Sequence, residues 1–254
     1  MRVLVTRPEP GGARTAARLV QAGHDPVLLP LFETRVTASP HNLPTAARIG
    51  GLIATSARAF ALFETDAPPD KAILDIPVHA VGPATARAAR RVGFRDVHEG
   101  AGTASDLART LIDRRTQQVP ATGGDVAEGG AKVLVYLAGM PRTPAIEDAL
   151  DDAGVAFSVV DCYEMIEISY STDISISGIF SPPPDAVLLY SANAARRLAA
   201  LAEAEGLGNR LDSASFLCLS EAIAAELPDG WRVRAIAADH PDEDSLLASL
   251  AALG

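Results

Sequence analysis

The stretch "GLIATSARAFALF", residues 51–63, runs from apolar residues through Thr55-Ser56 into a segment with helical spacing. The same pattern returns as "AVLLYSANAARRL", residues 186–198, an offset of 135 (186 − 51). A short apolar run that meets serine and then turns helical is the signature of a strand-turn-helix unit, with the serine placed to cap the helix. Two such units so far apart call for a search for the rest of the repeat.

The repeat extends on both sides. "RVLVTRPEPGGARTAARLVQAGHDPVLLPLFET" (2–34) aligns with "KVLVYLAGMPRTPAIEDALDDAGVAFSVVDCYEM" (132–165). "IPVHAVGPATARAARRVGFRDVHEGAGTASDLARTL" (76–111) aligns with "ASFLCLSEAIAAELPDGWRVRAIAADHPDEDSLLASL" (214–250). The order A-B-C-A′-B′-C′ has a domain-sized period, which excludes a solenoid. Strands are expected at 3–5, 27–29, 52–54, 78–81 and 97, then at 133–136, 158–160, 187–190, 216–219 and 233–236. Helices are expected at 12–22, 57–65, 84–92 and 104–114. Apolar strands without clean alternation are buried on both faces, as in a parallel sheet covered by helices. The fold class is therefore α/β, doubly wound. Residues 35–48, 115–131 and 167–185 read as connections, the second carrying a Gly-rich loop at 120–131 and the third ending in three prolines.

Composition narrows the function. The formal net charge of −10 argues against nucleic acid or an anionic membrane as partner. No run of eighteen apolar residues offers a membrane span, and the N-terminus lacks the apolar core of a signal peptide. Cys162 and Cys218 make no disulfide framework and read as buried thiols in a reducing cytoplasm. Of 22 basic residues only Lys71 and Lys132 are lysines, so lysine-based covalent chemistry is not expected. The five histidines show no ligand spacing, and neither a phosphate loop nor a dinucleotide fingerprint is present. No metal and no cofactor is expected.

In open parallel sheets ligands bind beyond the carboxyl ends of the strands. Thr6 and Arg7 follow the first strand, Thr55 and Ser56 the B strand, and Gly82, Pro83 and Thr85 the C strand. Ser191 and Asn193 follow B′, and Ser220 follows C′. Taken singly, a serine in such a turn is an ordinary helix cap. Taken together, these helix ends offer free N–H groups and partial positive charge to carboxylates or phosphates, without many basic side chains.

These residues resemble the uroporphyrinogen-III synthase family. "VLVTRPEP", "LIATSARAF", "AVGPATARAARRVGF", "VVDCYEM" and "LLYSANAARRL" are similar to that family's segments, in the same order over most of the chain. The resemblance implies two α/β domains with exchanged first strands, joined by a two-stranded β-ladder linker. Domain 1 is then 1–34 plus 169–254, and domain 2 is 37–166. It implies a cofactor-free lyase of porphyrin biosynthesis that cyclises hydroxymethylbilane to uroporphyrinogen III, with loss of water and inversion of ring D, in an interdomain cleft. Tyr163 matches the family tyrosine proposed to assist loss of the hydroxyl. Arg7, Ser56, Gly82, Thr85 and Ser191 match its substrate-binding positions, to which the helix-end reading adds Asn193 and Ser220. The enzyme is expected to be a cytoplasmic monomer, and porphobilinogen deaminase, the source of the bilane, is a candidate partner. One departure stands out. Ser220, Glu221 and Ile223 occupy the places of a repeated Gly-Pro-Thr turn, so a second reading is a catalytically degenerate two-domain module that binds a small polyanion.

Overall fold

The computed structural model describes residues 1–118, 132–170 and 176–253; the Gly-rich loop at 120–131 and part of the 167–185 connection lie outside them. Its eleven strands are β1 (Arg2–Val5), β2 (Asp25–Leu28), β3 (Phe32–Val36), β4 (Ile49–Ala54), β5 (Val78–Ala80), β6 (Val97–Glu99), β7 (Val133–Met140), β8 (Phe157–Glu167), β9 (Ala186–Leu189), β10 (Ser215–Cys218) and β11 (Ala235–Ala237). They form two sheets, in the orders β11-β10-β9-β1-β2 and β3-β8-β7-β4-β5-β6. The chain correspondingly divides into two compact units, Met1–Glu33 with Ile166–Gly254, and Thr34–Met165.

The sheet orders show the exchange of first strands. β1 pairs in parallel with β9, Val3 opposite Ala186, while β7 pairs in parallel with β4, Leu137 opposite Ala54. Each A segment thus completes the sheet of the other half's B and C segments. Counted from its A strand, each sheet contains the order 2-1-3-4-5, to which the second adds β3 beside β8. The order in which parallel strands are added reverses between β1 and β9 in one and between β7 and β4 in the other, and such a switch point opens a crevice at the strand ends.

Burial on two faces explains the unbroken apolar runs. In the first sheet Leu4, Val187, Leu189 and Phe216 enter one core, with Trp231 stacked 4.9 Å from Phe216. Val3, Val5, Leu188 and Leu217 enter the core on the opposite face. In the second sheet Leu52, Ala54, Val135 and Leu137 face one core. Ile53, Leu134, Tyr136 and Ala138 face the other. Each fully buried large aliphatic residue contributes about 1.5–3 kcal/mol, so these alternating pairs fix the register as well as the stability.

Several expectations need amendment. Residues 57–63 form a 3₁₀ helix rather than an α-helix. The last strand starts at Ala235, because Asp229–Arg232 form a helical turn capped by Val233, whose side chain is 80% exposed. β8 runs on to Glu167, past the 158–160 read from the apolar run and in keeping with the β-ladder linker that the resemblance implied. Its extension lies beside β3. The Thr37 N–H donates to the Cys162 carbonyl at 2.9 Å, and Arg35 pairs with Glu164. The partner number falls as the first rises, so this ladder is antiparallel. Both passages of the chain from one unit to the other lie on these two strands.

Residues 34–165 contain every strand of the second sheet except the first two residues of β3 and the last two of β8. Expressed alone, this segment is expected to unfold cooperatively by circular dichroism and to protect its amides from exchange. Residues 1–125, which leave β1 without β9, are expected to remain unfolded. The reverse result would show that the exchanged strands are not the unit of stability.

Candidate functional site

At the crevice of the first sheet the chain leaves β1 through Thr6 and Arg7. Thr6 is fully buried and donates its hydroxyl to the Leu188 carbonyl at 2.7 Å, tying the ends of β1 and β9 together. The Arg7 guanidinium lies 4.4 Å from the centroid of the Tyr190 ring, within reach of a cation–π contact. It has room because residue 11 is glycine: a β-carbon there would stand 2.5 Å from Arg7 Nε. Arg7 also pairs with Glu243 at 2.9 Å. The same carboxylate oxygen accepts the hydroxyls of Thr15 and of Tyr190, the latter at 3.2 Å. Its other oxygen lies 3.3 Å from Arg18.

This cluster sets two ionisations. Burial raises the Glu243 carboxyl, but the hydrogen bond from Thr15, the Arg7 charge, the Tyr190 hydroxyl and Arg18 outweigh it, so the net shift is downward from 4.5. Burial pushes the Tyr190 phenol up to about 12, and it stays protonated at neutral pH. The positive charge of Arg7, predicted as a substrate contact, is thus already matched by an internal carboxylate. A ligand anion must compete with Glu243 for it.

The other predicted positions in this unit are helix ends. Ser191 caps the helix Ala192–Ala204 and accepts the Ala194 N–H at 3.2 Å. Asn193 Oδ1 is taken by Arg196 at 2.6 Å. Ser220 begins the single turn Glu221–Ala224 and accepts the Ile223 and Ala224 amides through its backbone carbonyl; its side chain makes no capping bond. Glu221, exposed in that first turn, adds a negative charge there.

The second sheet shows a related arrangement at its own reversal. Thr55 Oγ1 lies 3.1 Å from the hydroxyl of Tyr136, a buried residue of β7 whose phenol burial pushes up. Arg142, just past β7, stands 6.0 Å from that ring and pairs with Glu147 at 2.6 Å and Asp161 at 2.7 Å. Ser56 caps the 3₁₀ helix by accepting the Arg58 N–H at 3.2 Å. Gly82 precedes the helix Pro83–Val92 in extended backbone, and a β-carbon there would make only ordinary contact with Gly102, 3.6 Å away. Thr85 is 4% exposed, so this end presents amides more than a hydroxyl. Tyr163 lies on β8 opposite Gly139 of β7.

The structure therefore gathers Arg7, Ser191, Asn193 and Ser220 at the carboxyl edge of one sheet, and Ser56, Gly82 and Thr85 at that of the other. Sequence reasoning missed Thr15, Tyr190 and Glu243 in the first, and Tyr136, Arg142 and Glu147 in the second. Tyr190 had a signal, its place immediately before a capping serine. Glu243 had none, because it lies 236 residues from Arg7.

Two parallel-sheet units, each with capped helix ends and an arginine beside a tyrosine at its strand switch point, define a duplicated α/β protein. The family described as uroporphyrinogen-III synthase HemD matches residues 13–248, and the chain belongs to that family, whose members are cyclising lyases of porphyrin biosynthesis. Among solved structures it is similar to the uroporphyrinogen-III synthetase of Helicobacter pylori 26695, at 15% identity over 100% of both chains with a TM-score of 0.62. It is also similar to a mutant uroporphyrinogen III synthase of the extremely thermophilic bacterium Thermus thermophilus, at 18% identity over 99% of this chain and 98% of that one, with a TM-score of 0.55. At these identities the likeness is one of fold. No curated protein matches the chain.

The Glu243 cluster has a pH signature. A carboxyl whose folded pKa is depressed contributes stability that is complete above its unfolded value, near 4.5, and is lost as pH falls through the lower folded value. Urea midpoints should therefore drop below pH ~4.5 in the wild type. Glu243→Gln should lose that part of the slope, at a cost of about 1–2 kcal/mol near neutrality. Parallel curves for the two proteins would show that the carboxylate is not held by the cluster.

Proposed function

We propose that this chain closes linear hydroxymethylbilane to uroporphyrinogen III, holding the substrate's carboxylates at the carboxyl ends of its two sheets. The observation that carries the reading is the family match over residues 13–248. The geometry supports it through the helix ends after Ser56, Gly82, Ser191 and Ser220, because the N-terminal end of a helix attracts anions. Such a mode suits a chain of net charge −10, because backbone dipoles supply positive potential without added cations. A non-catalytic polyanion-binding module, the second reading the sequence allowed, is not favoured, since the matching family is one of synthases.

In this reading the Tyr163 hydroxyl gives its proton to the hydroxyl leaving ring A, and water departs. The resulting azafulvene is attacked by ring D through its substituted carbon. The spiro intermediate fragments and recloses with ring D inverted, and the proton that the free carbon of ring D loses on closure restores the Tyr163 phenol. The protein's part is to hold the chain of pyrroles so that attack at the substituted carbon precedes attack at the free one. Arg7 joins the substrate by exchanging Glu243 for a substrate carboxylate, and Asn193 by leaving Arg196. The enzyme works as a cytoplasmic monomer on bilane released by porphobilinogen deaminase. Two free cysteines fit that compartment, and no described helix is long and apolar enough to cross a membrane.

Porphobilinogen and a deaminase generate the bilane in the assay, and the oxidised isomers are then separated. Predominantly type III product is expected, and type I alone would overturn the proposal. Replacing Tyr163 by Phe should slow type III formation about tenfold to a hundredfold, less than the ~10²–10³ typical of a lost transition-state donor, because water substitutes for the phenol.

A further inference from the structure

Tyr163 does not sit where regular β-structure would put it. Along β8, Phe157 and Val159 pack on the core that contains Ile53 and Tyr136, while Val160 and Cys162 pack on the opposite core, with Val135 and Leu137. Strict alternation would return residue 163 to the first face. Instead Tyr163 packs on the second, beside Cys162. The pairing shows why. Ala138 of β7 lies opposite Asp161, and the next residue, Gly139, lies opposite Tyr163. Cys162 is an extra residue, a β-bulge, and a bulge of one residue reverses the facing of everything beyond it. Thr37, the residue just past β3, pins the bulge from the other side: it donates its N–H to the Cys162 carbonyl at 2.9 Å and its hydroxyl to the Asp161 carbonyl at 2.6 Å.

The ring that the bulge turns over needs a place to lie, and residue 139 supplies it. A β-carbon on Gly139 would stand 2.5 Å from Tyr163 Oη and 2.6 Å from Cε2, distances that real β-carbons do not show. The backbone at Gly139 requires no positive φ, so glycine is needed here for space and not for conformation. The tyrosine thus lies across the bare face of the neighbouring strand. We infer that Gly139 and the Cys162 bulge are positioning elements for the Tyr163 hydroxyl, which is set by the ring's rest on Gly139. The inference rests on the reading in which that hydroxyl serves the cyclisation. The atoms a methyl group would meet are the far end of a side chain with two free torsions. The ring therefore swings aside, and Gly139→Ala disturbs the hydroxyl far more than the fold.

A cycle of Gly139→Ala, Tyr163→Phe and their double variant tests this, with bilane generated from porphobilinogen by a deaminase. Gly139→Ala is expected to lower kcat for type III formation at least about tenfold and to raise the share of type I, with KM within about twofold of wild type; the double variant should match Tyr163→Phe within about twofold, since the hydroxyl is lost only once. A Gly139→Ala variant with wild-type kcat beside a slow Tyr163→Phe, or losses that multiply in the double variant, overturns the positioning inference alone. Wild-type turnover in Tyr163→Phe overturns the donor role itself. Should Gly139→Ala prove unstable, the pair Gly139→Ala with Tyr163→Ala decides. A melting temperature restored to that of Tyr163→Ala assigns the clash to the ring, and an unrestored one shows that glycine is required for something other than Tyr163.

Discussion

The structure depends first on the parallel pairing of β1 with β9, Val3 opposite Ala186 and Val5 opposite Leu188. It brings together segments more than 180 residues apart. It also places Thr6 against Leu188 and Arg7 over Tyr190, so the strand pairing and the site share one seam. The counterpart pairing of β7 with β4 does the same for Thr55 and Tyr136. In both sheets the reversal of strand order lies at this pair, so the point of greatest topological constraint is also the point where the arginine–tyrosine groups collect.

Charge is arranged with the same economy. At each reversal an arginine stands near an aromatic face and is answered by a carboxylate from the chain itself, Glu243 in one unit and Glu147 with Asp161 in the other. A partly buried guanidinium without a partner is costly, and these pairs keep it satisfied in the absence of ligand. The arrangement also sets a threshold. A single anion gains little by displacing an internal carboxylate, whereas a polycarboxylate anchored elsewhere on helix-end amides meets Arg7 as an intramolecular competitor of Glu243 at high effective concentration. Under the proposed function, this exchange favours a many-armed anion over small acids.

The fold was legible in the sequence wherever the information was local or repeated. The Val-Leu-Val starts, the strand-serine-helix units and their order led to parallel sheets, the family resemblance implied the exchange of first strands, and the caps at Ser56 and Ser191 followed from spacing alone. What stayed hidden depends on distance or on a single inserted residue. Glu243 meets Arg7 only through tertiary structure. In "FSVVDCYEMIE" the bulge at Cys162 leaves no mark, because apolar and polar residues on either side of it read equally well in both registers. Val233 reads as strand because a β-branched residue before an apolar run suggests one, while the preceding Asp-Gly-Trp-Arg forms a helical turn that uses Val233 as its cap.

The exchange of strands also orders events at the ribosome. The strands of the second sheet are consecutive from β3 to β8, so that sheet has all its members once residue 167 has emerged. β1 and β2 are made first but must wait for β9, which follows Val3 by 183 residues. At about 5–20 residues per second this is a delay of roughly 10–40 s. Throughout it Val3, Leu4 and Val5, all fully buried in the finished protein, have no sheet to join. The oldest part of the nascent chain is therefore the last to be sheltered, and it is there that a chaperone has the longest opportunity to act.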